Sequence, residues 1–451
     1  MKDPLVSVYV VNHNYGRFLK QSVESVLAQD YNNYELIIID DGSTDDSHLL
    51  LDEYEQIAGI NVIRQNNKGL IATNNIALRM SKGKYVMRVD ADDFLEPEAL
   101  KIMCSILEAN EEFALIFPDY WEVDEDGMTI KKVCRHNFDE EVTLYDMPAH
   151  GACTMIRRDI LLEIGGYDED FTCHDGYDLW LSVIKQYKVT NVNIPLFYYR
   201  QHANSLTHDD SKLLETRASI IEKHVEKLGN KPLNVLAVIP VRGSVLDTRS
   251  IPLEKLGQKR LIDWTLNAAL GSNSVNSVIV TTPDQEVLNY VNDNYGNRVI
   301  LNKRSSELAR INLDLHKTLM WILDEMAENE KPDAIVLLNI ESPFRSSMYV
   351  TKAINAMQLY DVDVVIGVRM DDDMFYIHDG GGLQPRAEEE LRLESDFLYR
   401  KVGGITLLRR SFFEKEGKII GGSVGHVVLD QKSAFTIKSK IDWQIAKALI
   451  D

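Results

Sequence analysis

The stretch "VSVYVVNHNYGRFLKQSVESVLAQDYNNYELIIIDDGSTDDS", Val6 to Ser47, holds two apolar runs separated by a segment of mixed polarity. Val6 to Val11 is rich in β-branched residues and reads as a buried strand. Leu19, Val23, Val26 and Leu27 recur at helical spacing, and Glu35 to Ile39 forms the next strand-like run. Strand, covering helix and strand in that order predict a mostly parallel sheet with helices packed on it.

The alternation continues outward through Ile60 to Arg64, Leu70 to Met80, Tyr85 to Val89, Ala99 to Leu107 and Phe113 to Phe117. A polar helical segment from Asp209 to Leu228 ends at "LGNKP", where Gly229 and Pro232 are stop signals. The segment "LNVLAVIPVRGS" then begins a second strand-and-loop unit, and alternation resumes through Ser277 to Thr281, Ala334 to Leu338 and Val362 to Val368. The halves share no motif spacing, so the expected fold is two different nucleotide-binding-type α/β domains in tandem, residues 1–229 and 230–451. The acidic run Ala387 to Asp396 reads as a solvated face, and "DGGGLQP" before it as a mobile turn.

A chain of 451 residues exceeds what one core serves, and its 45% apolar and 26% charged residues are ordinary for a soluble enzyme. Lys and Arg number 49 against 70 Asp and Glu, and the net charge of -21 opposes nonspecific binding to nucleic acid or anionic lipid. No apolar run reaches the length of a spanning helix, and the opening residues lack a signal-peptide pattern, which predicts a cytoplasmic protein. Cys104, Cys134, Cys153 and Cys173 form no close pair of the zinc or redox type and are expected to be free, buried thiols.

Open parallel sheets bind ligands at the carboxyl ends of their strands, and the polar clusters fall there. After the first strand come Asn12, His13 and Asn14; after the second, Asp40 to Ser47; after the fourth, Asp90, Asp92 and Asp93. Asp41 beside Gly42 can approach a flat base and accept its ring N–H, while Asp90 and Asp92 can reach a ribose and a divalent cation. Carboxylates are also common in ordinary strand-to-helix turns, so the cluster alone does not decide between the two roles.

The Val6–Ser47 stretch resembles the opening of the family 2 glycosyltransferases, which have the GT-A fold. "NKGLIATNNIALRMSKGKYVMRVDADD" resembles that family's segment leading to its metal motif, "GGYDEDFTCHDGYDLWL" its acceptor-side acidic motif, and "IPLFYYRQHANSLT" its closing segment. Four motifs in the family's order cover about the first 228 residues. The resemblance implies a Mn²⁺ or Mg²⁺ ion held by Asp90 and Asp92, a nucleotide-sugar donor contacted by Asn12, Asp41, Lys68, Asp90 and His202, and Asp175 as the base that deprotonates the acceptor. The family's acidic motif departs here through Gly176, which leaves Asp178 as the alternative base, or as the cap of a helix from Leu179 to Tyr187. Thr73 stands where the family often has an arginine.

In the second half, "LAVIPVRGSVLDTRSIPLEKLGQKRLIDWTLNAAL" and the later pieces "SSELAR", "AIVLLNIESPFRSSMYVTKAI" and "KSKIDWQIAKALI" resemble the CMP-sialic acid synthetase family of cytidylyltransferases. Arg242, Ser244, Arg345 and Asp442 are its candidate ligand contacts. Leu246, Ile251 and Pro252 stand where that family places cationic and polar contacts to the triphosphate, and Lys440 replaces one of two metal-binding aspartates. A lysine at a cation site repels the ion. The resemblances together imply an inverting, metal-dependent glycosyltransferase that uses a UDP-sugar and a glycan acceptor in surface polysaccharide synthesis. Its second domain would be degenerate and serve assembly, as in a homo-oligomer, or ligand binding. A bifunctional enzyme that also makes a CMP-activated nonulosonic acid is the first alternative, and a non-catalytic scaffold the second.

Overall fold

The computed structural model describes residues 5–134, 136, 142, 144, 151–202, 210–243, 247, 250–310, 315–371, 376–378, 383–385 and 398–450. It divides into two compact units, Met1–Arg217 with Met374–Asp396, and Ala218–Asp373 with Phe397–Asp451.

In the first unit the chain runs β1 (Val6–Asn12), α1 (Gly16–Leu27), β2 (Tyr34–Asp41), α2 (Ser47–Glu55), β3 (Ile60–Gln65), α3 (Leu70–Met80), β4 (Tyr85–Asp90) and β5 (Phe94–Leu95). It continues with α4 (Ala99–Ala109), β6 (Phe113–Val123), β7 (Thr129–Val133), β8 (Met155–Arg157), α5 (Arg158–Glu163), α6 (Asp175–Ile184) and β9 (Lys188–Arg200). α7 (Asp210–Leu228) follows, and the division between units falls inside it. The sheet order is β3-β2-β1-β4-β8-β6-β9-β5, with β7 pairing the C-terminal part of β6 off this path. β1, β2, β3 and β4 pair in parallel, whereas β8 runs antiparallel to β4 and β6. Every residue of β1 is buried, because helices cover both faces of the sheet, and this is why its sequence reads as a continuous apolar run instead of an alternating one. Leu19, Val23 and Val26 of α1 sit in the same core cluster as Val8, Val10, Met87 and Val89.

Register carries this fold to its site. Asn12 pairs with Asp40, and Val11 with Asp90, so the polar ends of β1, β2 and β4 lie side by side. Strand order reverses between β2 and β4 about β1, which opens a crevice at the strand ends.

The second unit contains β10 (Val235–Pro240), β11 (Lys255–Leu256), β12 (Lys259–Arg260), α8 (Leu261–Leu270), β13 (Ser277–Thr282), α9 (Gln285–Tyr295), β14 (Ile300–Lys303) and α10 (His316–Glu325). After these come β15 (Ala334–Leu338), α11 (Ser347–Tyr360) and β16 (Val364–Asp371). The chain then makes a short hairpin, β17 (Tyr376–His378) and β18 (Leu383–Pro385), which groups with the first unit, and returns to the second as β19 (Leu398–Arg409), α12 (Arg410–Glu416), β20 (Val424–Val428) and α13 (Lys440–Ala448). Its main sheet has the order β14-β13-β10-β15-β19-β16-β20, with β19 antiparallel to both neighbours. The turn expected over "DGGGLQP" gives way at its end to β18, and the acidic run from 387 to 396 lies outside the described residues. The helix expected from Leu179 begins four residues earlier at Asp175, so Asp178 lies inside α6 and is not its cap. All four cysteines are free; Cys104 and Cys153 are buried, but Cys134 is exposed.

Candidate functional site

The loops after β1, β2 and β3 are tied into one wall by carboxylates. Asn12 Nδ2 donates to Asp40 Oδ1 at 2.8 Å and to Ser43 Oγ at 2.9 Å, leaving its buried Oδ1 without a hydrogen-bond partner among the described residues. Asp41 is 2% exposed and accepts from the Lys68 and Gly69 backbone N–H groups and from Gln65 Nε2, each at 2.8 Å. Two of these bonds fall on Oδ1 and one on Oδ2, so Oδ2 keeps a lone pair for a ligand N–H. Gly42 has φ +77°, and a Cβ there would lie 2.6 Å from the Asn67 backbone nitrogen, so only glycine lets the two loops close on each other. The Lys68 side chain is exposed at the rim. Thr73, at the family's arginine position, is buried and accepts from Gln65 Nε2 at 2.9 Å.

Beyond β4 the chain turns through Asp90, Asp92 and Asp93. Asp92 Oδ2 lies 2.9 Å from His202 Nε2, and His202 packs against the rings of Tyr15 and Phe18. Arg200 fixes this turn from behind: its Nε donates to the Asp92 carbonyl at 2.8 Å and its backbone N–H to Asp93 Oδ1 at 3.0 Å. Burial, with Asp92 and Asp175 adding, pushes the Asp90 carboxyl up to about 6 against the opposing pull of Arg88. Asp93 is pushed well above the ordinary carboxyl value by burial and then by Asp92 and Asp90. The Tyr15 hydroxyl is raised by burial and then by Asp92, Asp90 and Asp93.

Asp93 Oδ2 is buried without a hydrogen-bond partner among the described residues. No group of three or more His, Cys, Asp or Glu among the described residues is already gathered as a metal cage. Asp90, Asp92 and His202 nevertheless fit a divalent ion of the kind that takes one or two carboxylates and completes its shell with phosphate oxygens and water.

Asp175, the first residue of α6, meets this cluster through a residue that the sequence reading missed. Arg88 is 5% exposed; its Nε lies 2.9 Å from Asp90 Oδ1, and its Nη1 bonds Asp175 Oδ2. Asn74 Nδ2 also donates to Asp175 Oδ2, at 2.9 Å. Burial opposes the charge of Arg88, but Asp175 and Asp90 outweigh it and raise its pKa above the ordinary arginine value. A signal was present in "YVMRVD": Arg88 and Asp90 are two residues apart on one strand and therefore share a face, and a cation inside a buried strand needs an anion beside it. Gly151 backs the guanidinium, and a Cβ there would lie 2.6 Å from Arg88 Nη2.

In the second unit Arg345 and Asp442 are engaged with their own fold, while Glu341, raised chiefly by burial, feels the opposing charges of Arg242 and Arg345. Arg345 is 2% exposed and donates to the carbonyls of Gly403, Gly404 and Asn339 and to Thr265 Oγ1, while burial lowers its pKa to about 10. Asp442 accepts from the Lys438 N–H and from Ser439 Oγ, both at 2.9 Å, and Ser439 Oγ accepts from the Asp442 N–H, which together cap α13. Arg242 is 3.7 Å from Asp247, and Ser244 and Leu246 lie outside the described residues. Sequence reading also passed over Arg304, which is 3% exposed and has Nε and Nη1 buried without hydrogen-bond partners among the described residues. Burial first, and then the charge of Arg242, lowers its pKa to about 10.

Two α/β units, the first with carboxylates gathered at the ends of β2 and β4 about a strand-order reversal, define a GT-A glycosyltransferase domain followed by a cytidylyltransferase-like domain. The profile described as Glycosyl transferase family 2 matches residues 7–165, and that described as Cytidylyltransferase matches 249–372. An uncharacterized glycosyltransferase of Methanocaldococcus jannaschii is 30% identical over 210 residues, covering 44% of this chain and 72% of that protein. The chain belongs to the family 2 glycosyltransferases. It is also 27% identical to the Escherichia coli chondroitin synthase over 58% of this chain, but spans only 36% of that protein's length. A UDP-Glc:alpha-D-GlcNAc-diphosphoundecaprenol beta-1,3-glucosyltransferase of Escherichia coli is 27% identical over 48% of this chain and 86% of its own length. Among solved structures, S. aureus TarS 1-349 superposes with a TM-score of 0.42 at 18% identity, covering 51% of this chain and 66% of that one. No helix among the described residues is long and apolar enough to cross a membrane.

Proposed function

We propose that residues 1–229 form an inverting, metal-dependent transferase that moves a sugar from a UDP-sugar to a glycan or glycoconjugate acceptor in the cytoplasm, in surface polysaccharide synthesis. The observation that carries this reading is that Arg88 bridges Asp90 and Asp175, with Asp92 bonded to His202 two residues further along the same turn. Asp41 and its loop receive the base, and Asn12 holds the neighbouring Asp40 loop in place. Asp90, Asp92 and His202 would hold Mn²⁺ or Mg²⁺, which neutralises charge developing on a departing diphosphate. Asp175 takes the proton of the acceptor hydroxyl. Both of its side-chain bonds fall on Oδ2, which leaves Oδ1 as the accepting oxygen. The E. coli glucosyltransferase relative, named for its use of UDP-Glc, supports a UDP-linked donor.

Residues 230–451 serve ligand binding or assembly of a homo-oligomer, without nucleotidyl transfer. The engagement of Arg345 with backbone carbonyls and of Asp442 with its own helix start supports this, while Arg304 keeps a cationic group available to an anion. The test is to incubate the full chain with Mn²⁺ and a panel of UDP-, GDP- and CMP-sugars and to measure nucleotide release by background hydrolysis. Release of UDP from a UDP-sugar supports the proposal; release only from GDP- or CMP-sugars overturns the donor assignment, and none from any donor overturns the transferase reading.

A further inference from the structure

We propose that Arg88 is a positioning residue that acts as the site's internal counter-ion. It holds Asp175 in place through Oδ2 and competes with an incoming divalent ion for Asp90. This deepens the metal-dependent reading above and rests on it.

The argument begins with charge. Asp90 feels the charges of Asp92 and Asp175, and Asp93 those of Asp92 and Asp90, and such a cluster is unstable unless cations oppose it. Arg88 is the buried cation that touches two of the four, and its planar fork lets one guanidinium meet two carboxylates in different directions. The pocket is built for it: Gly151 leaves room for Nη2, the Cys153 N–H donates to the Arg88 carbonyl at 2.8 Å, and Cys153 takes φ +54° at that bend. Asn74 reinforces the same oxygen of Asp175 that Arg88 bonds, so the carboxylate is pinned at one oxygen and open at the other.

Asp90 is the shared element. It faces Arg88 on one side, and Asp92 with its His202 partner lies two residues on. A divalent ion that draws Asp90 toward Asp92 must take it from Arg88, whose charge then falls to Asp175 alone. Loading of the donor side and fixing of the acceptor-side base are thereby linked through one side chain, with no movement of the sheet required.

The test uses Mn²⁺ alone as the probe, titrated by calorimetry against the full chain and three variants, with thermal unfolding as the check on folding. Arg88→Gln removes the competitor and leaves the carboxylates uncompensated, so Mn²⁺ should bind about tenfold more tightly than to the wild type. Arg88→Lys keeps the charge but not the fork, so its affinity should lie between those of the wild type and Arg88→Gln. A side chain that only supports the fold predicts weaker or unchanged Mn²⁺ binding in Arg88→Gln, and that result overturns the counter-ion role. If Arg88→Gln does not fold, Asp175→Asn serves instead: it concentrates Arg88 on Asp90 and should weaken Mn²⁺ binding several-fold, and unchanged affinity overturns the proposal. Asp92→Asn separates the two failures. Unchanged affinity in Arg88→Gln while Asp92→Asn abolishes binding rejects the counter-ion role alone, whereas Mn²⁺ binding by none of the forms rejects the metal reading and this role with it.

Discussion

Replacing Asp175 with Asn preserves the shape of the side chain and removes its basicity. The Asn74 Nδ2 bond to position 175 can persist through the new amide oxygen, and Arg88 keeps Asp90 as a counter-ion. The stability lost is therefore about 1–3 kcal/mol, the scale of a hydrogen bond to a charged group, and not the 3–5 kcal/mol of stranding a buried charge. Turnover should fall far more, by ~10²–10⁴-fold, as expected when a general base is removed, which corresponds to about 3–5 kcal/mol of barrier. UDP affinity in the presence of Mn²⁺ should change only a few-fold. The assay is UDP release from the donor that the wild type hydrolyses fastest, alongside calorimetry with UDP and a urea unfolding curve. Asp178→Asn, inside α6, is the control and should retain most activity. If Asp175→Asn kept wild-type turnover, or if Asp178→Asn lost it while Asp175→Asn did not, the assignment of the base would be refuted.

Asp41→Ala removes the acceptor of three hydrogen bonds and should destabilise the first unit by about 2–4 kcal/mol, less than three full charged bonds because the loop N–H groups can be rehydrated; urea unfolding measures this, and UDP binding should be lost with it. Gly151→Ala pushes a methyl group against Arg88 and should reduce turnover at least tenfold with a smaller effect on UDP affinity, checked by UDP release and calorimetry. The full chain incubated with CTP and a nonulosonic acid should release no pyrophosphate, and pyrophosphate that depends on both substrates would restore the bifunctional reading.

The repeating strand-helix order was legible because the central strands are covered on both faces and their apolar runs are continuous, as in β1 and β15. The antiparallel insertions β8 and β19 were not, since pairing direction depends on contacts distant in sequence and leaves no local pattern. Asp90, Asp92 and Asp175 could be singled out because short carboxylate motifs stand out at strand and helix ends. Their wiring could not: Asp175 lies 87 positions from Arg88, and only the packed fold shows that the two are partners. The start of α6 was misread for a local reason. Gly176 looks like an interruption in sequence, yet it occupies the first turn of the helix, where weak propensity costs little beside the packing of Leu179, Trp180 and Leu181.

Calorimetric titration of UDP into the full chain, with Mn²⁺ and then with a chelator, tests the central claim most directly. The diphosphate would otherwise face Asp90 and Asp92 unscreened, so binding should be measurable with the ion and lost without it, and Asp92→Asn should lose the ion's effect. Equal UDP affinity with Mn²⁺ and with chelator would contradict a metal-dependent donor site at the end of β4.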